Sequence, residues 1–202
     1  MIPRIYEGQT VHVVAGGPSL AGFDFSRLND RAVIAVNRTF EVMPAAQVLY
    51  WSDARFFRSW RREIIRHPAP WKASLDLDYQ AEELVPPEIH LYRCTGRAGF
   101  DPDPASLRHG NNSAYAAMHL AVHLGARRII LLGVDMRFSP EGRSHFHEGY
   151  GMLPVDFAKS MLPHFRTLVK PLASFGVEVI NASPASALKL WPRMSIDEAL
   201  AA

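Results

Sequence analysis

Short apolar runs rich in β-branched residues recur along the chain at residues 11–15, 32–36, 48–51, 89–92, 129–132 and 177–180. Each has the length of a strand. Between them the apolar positions move to helical spacing. The clearest helix starts at Ser113, continues Ala-Tyr-Ala-Ala-Met-His-Leu-Ala-Val-His to Leu124 and stops at Gly125; its residues are good helix formers, and glycine is a natural terminator. A second helix is expected from about Pro154 to Phe175, ahead of Gly176. In the segment 55–66, Phe57, Trp60, Ile64 and Ile65 share one side while Arg58, Arg62 and Arg66 line another, which reads as a surface helix with a solvated basic face. Alternation of strand and helix predicts an α/β fold: a single Rossmann-like, doubly wound domain over residues 1–202, its sheet mostly parallel with helices on both faces. The loop 97–112, with Pro102, Pro104 and paired Asn111-Asn112, is long for such a domain and favours a functional or mobile role.

Composition narrows the class. Hydrophobic residues make up 48% and charged residues 21% of the 202, the balance of an ordinary globular domain. The single cysteine, Cys94, excludes an intrachain disulfide framework and a thiolate zinc cluster. No apolar run approaches the ~20 residues of a bilayer span, and the start lacks the apolar core of a signal peptide. A cytoplasmic protein is expected, without a membrane span. A net charge of +2 is too small to argue for a nucleic-acid partner, and the sequence is compatible with a homo-oligomer.

The chemistry gathers where an open parallel sheet binds ligands, beyond the carboxyl ends of its strands. Gly16-Gly17-Pro18-Ser19 follows the first strand, where glycine lets backbone approach a phosphate closely. The turn is neither a dinucleotide fingerprint nor a P-loop. Asn37 follows the second strand, Ser52 and Asp53 the third, and Asp135 the strand 129–132, while Asn112 and Ser113 open the long helix. Downstream, Arg143-Ser-His-Phe-His-Glu-Gly-Tyr-Gly151 sets His145 and His147 on one side of an extended loop, which suits a general acid or base. A metal pair is weakly supported by two histidines alone. The remaining histidines fall in elements or beside prolines and read as structural.

Taken in order, Gly-Gly-Pro-Ser-Leu, Phe-Asp-Phe-Ser-Arg-Leu, Ala-Val-Asn37-Arg, Val48-Leu-Tyr50 and Asn112-Ser113 resemble the bacterial sialyltransferases of glycosyltransferase family 42. So do Leu-Gly-Ala-Arg-Arg-Ile-Ile-Leu-Leu-Gly-Val-Asp135, the histidine loop and Ser183-Pro-Ala-Ser186. The pattern is also similar to archaeal 6-hydroxymethylpterin diphosphokinase-like proteins and to small phage- and prophage-encoded proteins. The resemblance implies that Gly16, Gly17, Pro18 and Ser19 bind the phosphate and sugar of a nucleotide, that Asn37 contacts the donor, and that Asn112 and Ser113 hold its carboxylate or phosphate. Pro184 to Ser186 would lie near the base. The chain departs from the family in four places. Trp51-Ser52-Asp53 stands where the family has Asn after its tyrosine, and Gly149 where its catalytic histidine falls. Met136-Arg137-Phe138 replaces its paired tyrosines, with Arg137 or Arg143 able to supply charge to the departing phosphate, and the acceptor lid is short or missing.

The expected function is therefore a nucleotide-dependent transferase. The first form is a glycosyltransferase that takes a CMP-type activated sugar to a small-molecule or glycan acceptor, with His147 or His145 as base and no cofactor. The alternative is an ATP-dependent diphosphokinase acting on a small alcohol such as a hydroxymethylpterin, with Asp53 and Asp135 holding Mg²⁺. A non-catalytic nucleotide-binding protein is the third form. On the nucleotide reading, Gly17→Val is expected to abolish binding in a protein that still folds.

Overall fold

The computed structural model describes residues 2–80, 83–148, 156–183 and 185–201. Eight strands, β1 (Thr10–Val14), β2 (Ala32–Val36), β3 (Val48–Asp53), β4 (Trp71–Leu77), β5 (Ile89–Cys94), β6 (Ser106–Leu107), β7 (Arg128–Leu132) and β8 (Glu178–Asn181), form one sheet in the order β6-β5-β4-β3-β2-β1-β7-β8. Every neighbouring pair runs parallel. The chain steps outward from β1 to β6. Helix α2 (Ser113–His123) then carries it back to β7, on the other side of β1. Strand order thus reverses between β1 and β7, the place where sheets of this kind open a ligand crevice.

Alternation along the strands divides the core into two layers. Val11 and Val13 face one with Ile34, Val36 and Tyr50, against α2 and α4 (Leu162–Ser174). Val14 faces the other with Val33, Ala35, Leu49 and Trp51, against α1 (Ala54–Arg66) and α5 (Ile196–Ala201). Helices therefore cover both faces, as the period-2 pattern of strands buried on both sides requires. Helix α2 is buried from Ala114 to Ala121. Its alanines let it lie close across β1, β2 and β3, an all-round apolar helix of the buried kind.

Three departures from the expected elements have local causes. Strand β4 carries no continuous apolar run: Ala73 and Leu75 enter the core while Lys72 and Ser74 lie buried on the opposite face, so alternation alone marks it. The helix expected to begin near Pro154, which lies outside the described residues, is two helices, α3 (Phe157–Ser160) and α4, broken at Met161 just before Pro163. Residues 97–112 are not a plain loop, and their end at Asn111 and Asn112 lines the candidate site. They hold β6 and pack on α2, where the Tyr115 hydroxyl donates to the Gly99 carbonyl at 2.8 Å and His119 Nδ1 accepts the Arg108 N–H at 3.2 Å.

His119 has a consequence for stability. Its ring is fully buried, and burial lowers its pKa to about 4. The unfolded chain therefore binds a proton at this site between the ordinary histidine value and pH 4 while the folded chain does not. Stability is complete above about pH 6.5 and falls as pH drops toward 4, by on the order of 3 kcal/mol from this side chain alone. The urea midpoint is expected to fall between pH 7 and 4.5, and His119→Gln to flatten that dependence; an equally steep dependence in the variant would assign it elsewhere.

Candidate functional site

At the C-terminal ends of β1, β2, β3 and β7 lies a cavity of about 290 Å³. Its wall includes Gly16, Gly17, Asn37, Asp53, Asn112, Ser113, Asp135, His145 and His147, together with Arg137 and Ser144. Four described residues other than glycine have positive φ, and three of them, Asn37 (53°), Asn111 (53°) and Met136 (50°), line this cavity. Left-handed backbone costs about 1–3 kcal/mol at such residues, and its concentration around one cleft marks a site that the fold holds under constraint.

The glycine turn is locked to the loop after β7. Gly17 N–H donates to the Gly133 carbonyl at 2.8 Å, Ser19 N–H to Asp135 Oδ2 at 2.7 Å and the Ser19 hydroxyl to Asp135 Oδ1 at 2.6 Å. Asp135 is buried, and both its oxygens serve this turn. Gly17 has an ordinary φ of −59°, so its glycine is required for space: a Cβ would lie 2.3 Å from the Gly133 oxygen and 2.7 Å from Asp135 Cγ. The expectation that Gly17→Val leaves the protein folded is therefore corrected. Pro18 begins the 3-10 turn Pro18–Leu20 and does not line the cavity.

Gly16 opens toward the histidines. A Cβ here would meet His145 Cδ2 at 2.8 Å and His147 Nε2 at 3.1 Å, and the Phe146 N–H donates to the Gly16 carbonyl at 2.9 Å. The loop that carries the two rings is thus fastened over the turn. Their centroids are 5.1 Å apart and stacked. His145 Nδ1 lies 2.8 Å from the Ser144 hydroxyl and His147 Nδ1 is 3.4 Å from the Glu148 carbonyl. Burial, then the neighbouring His147 and Arg38, lower the His145 pKa to about 4. The same burial and Arg38 lower that of His147. Both shifts favour the neutral imidazole, the form that can accept a proton.

Several side chains expected to meet ligand are already occupied. Asn112 caps α2: its Oδ1 accepts from the N–H groups of Ala114 and Tyr115 at 2.9 and 3.3 Å, leaving the amide nitrogen beside the sulfurs of Met161 and Met136. Asp53 caps α1 through the Phe56 N–H at 2.9 Å. Ser52 lies 3.5 Å from the Tyr50 hydroxyl and is not on the cavity wall. Ser186 is buried, donating to the Val134 carbonyl at 2.7 Å and accepting from Leu188 N–H at 3.0 Å, so its hydroxyl serves the fold. Pro184 and Gly149 lie outside the described residues. Among the described residues, no group of three or more His, Cys, Asp or Glu is placed to hold a metal ion. With Asp135 bound by Ser19 and Asp53 committed to a helix cap, the pair is a poor donor set for Mg²⁺.

Asn111 and Met136 were not singled out as contacts by the sequence, whereas Arg137, a candidate there to supply charge to a departing phosphate, does line the cavity. The first two lie in positive-φ turns that no short motif announces. Arg137 is exposed and donates to the Ala185 carbonyl at 3.3 Å. The basic side of α1 is also less free than its spacing suggests, since Arg58 pairs with Glu83 at 2.7 Å.

The switch-point cleft, floored by a glycine turn and faced by a histidine pair, belongs to a Rossmann-like α/β fold with one parallel sheet. The chain is similar in structure to the sialyltransferase CstII from Campylobacter jejuni, solved in complex with a substrate analogue, cytidine-5'-monophosphate, with a TM-score of 0.58 and 17% sequence identity over 94% of this chain and 86% of that one. By sequence the chain matches no family profile and no curated protein. No helix among the described residues is long and apolar enough to cross a membrane.

Proposed function

We propose that this protein is a glycosyltransferase that moves a sugar from a CMP-type donor to an acceptor hydroxyl without a metal cofactor. The observation that carries this reading is the histidine pair stacked over Gly16 on the wall of the switch-point cavity. The likeness to a fold crystallised with CMP adds to it. His147 would accept the proton of the acceptor hydroxyl as its oxygen bonds to the anomeric carbon. The sugar–phosphate C–O bond breaks, and CMP leaves with the electron pair. Arg137, on the wall of the same cavity, would supply fixed positive charge to the departing phosphate.

Nucleotide preference tests the reading before any acceptor is known. CMP near 100 times its Kd should contribute about 2.7 kcal/mol, a rise of roughly 5–10 °C in Tm for a chain of this size, unchanged by EDTA. A rise with ATP and Mg²⁺ that EDTA removes would instead support diphosphoryl transfer. No rise with either would leave a fold without this chemistry.

A further inference from the structure

Arg38 stands beside Asn37, in the 3-10 segment Asn37–Val42 that follows β2. Its guanidinium is held on three sides. Nε and Nη2 donate to the two carboxylate oxygens of Glu41 at 3.0 and 2.8 Å, Cζ lies 4.6 Å over the Trp60 ring, and Nη1 donates to the Glu148 carbonyl. Trp60 is the residue at which α1 loses helical geometry (φ −122°, ψ 19°). Its ring also meets Phe40 edge-on at 6.0 Å. A fork bound bidentately and laid on an aromatic face is pre-organised, and lysine cannot reproduce that arrangement.

We propose that Arg38 is a positioning residue of the candidate site: held rigid by Glu41 and Trp60, it pins the backbone at Glu148 and so sets His147 over Gly16 with Nε2 toward the cavity. This rests on the reading of His147 as the general base. The loop has a second fastening at the Phe146 N–H to Gly16 carbonyl bond, so Arg38 and Gly16 hold it from both sides of the histidine. Arg38 also sets the charge that the rings meet. It acts on both imidazoles, against Glu41 at His147 and together with His147 at His145. The Asp135 carboxylate is occupied by Ser19. Loss of the Arg38 charge therefore moves both rings toward protonation, whereas loss of its fork geometry alone frees the loop and leaves the charge.

Histidine-labelled NMR of the full chain separates these effects without an acceptor. The His145 and His147 resonances are assigned with His145→Gln and His147→Gln, and those of His12 and His90 report on the fold. Arg38→Met is expected to raise the pKa of both loop histidines by about half a unit to one unit and to slow CMP-sugar hydrolysis at least ~10-fold. Arg38→Lys should return the pKa values close to wild type without restoring the rate. The proposal is overturned if Arg38→Met leaves both pKa values unchanged while the His12 and His90 signals stay in place, or if Arg38→Lys restores rate and pKa together. Should the wild-type protein neither bind CMP nor hydrolyse its sugar conjugates, the functional reading fails, and the titration still decides whether Arg38 governs the pair.

Discussion

Gly17→Val is expected to destroy the fold, or to destabilise it by on the order of 4 kcal/mol, above the ~1–3 kcal/mol usual for an overfilled position because the atoms it meets are rigid. The partners here are rigid. The added Cβ would meet the Gly133 oxygen at 2.3 Å and the Asp135 carboxylate at 2.7–2.8 Å, and the first is backbone at the end of a central strand. Gly133 cannot retreat easily: it has φ 65°, and its own Cβ position lies 2.4 Å from the Ala15 oxygen. The two glycines interlock at the β1–β7 crossing. Gly16→Ala is the control, because its Cβ would press on the side chains of His145 and His147, which can turn away. That variant should fold with a urea midpoint near wild type and lose catalytic competence. The check is a urea melt of both proteins. Wild-type stability for Gly17→Val would mean that the β1–β7 crossing is more pliable than its contacts require.

How much of this was legible in the sequence depends on the kind of signal. Strands β1, β2, β3, β7 and β8 were visible because both faces of each are covered, which favours largely apolar runs, while β5, with Leu91 exposed, was visible only from its short run at 89–92. Strand β4 hides its identity in Lys72 and Ser74, buried polar residues whose groups are satisfied by the carbonyls of Ile65 and Leu75. Helix α5 was legible and overlooked: Ser195 and Glu198 form a reciprocal capping box, with Ser195 N–H on Glu198 Oε2 at 2.8 Å and Glu198 N–H on Ser195 Oγ at 3.2 Å, and Ser-x-x-Glu is its sequence form. The cavity could be assembled in outline from the polar residues at strand ends. What each does there could not. A polar residue at a strand end reads the same whether it faces ligand or caps the next helix, and Asp53 and Asn112 are caps, while Asp135 ties down the glycine turn. The two caps act on N–H groups two or three residues along, but the role of Asp135 depends on a through-space partner 116 residues away, Ser19, which no local spacing encodes.

His147→Ala should lower the rate of CMP-sugar hydrolysis about 10²–10⁴-fold, the usual contribution of a general base, with nucleotide affinity nearly unchanged. His147 is preferred over His145 on orientation. It turns a ring nitrogen, Nε2, toward Gly16, where His145 turns the carbon Cδ2. His145 Nδ1 is engaged with the Ser144 hydroxyl at 2.8 Å, an arrangement suited to buttressing its stacked neighbour, so His145→Ala should cost less. The pH profile adds a second reading. A base must be neutral to act, and burial together with Arg38 holds His147 below its ordinary value. The wild-type rate should therefore stay level through neutral pH and fall only on acidification, with its inflection below about 6.5. In Arg38→Met that inflection moves up, because the positive charge that opposed protonation is gone. In His147→Ala the acid limb itself disappears, and the residual rate is flat. If the single variants and the double variant all retain the wild-type rate and limb, the proton is taken elsewhere and the stacked pair is part of the framework that shapes the cleft.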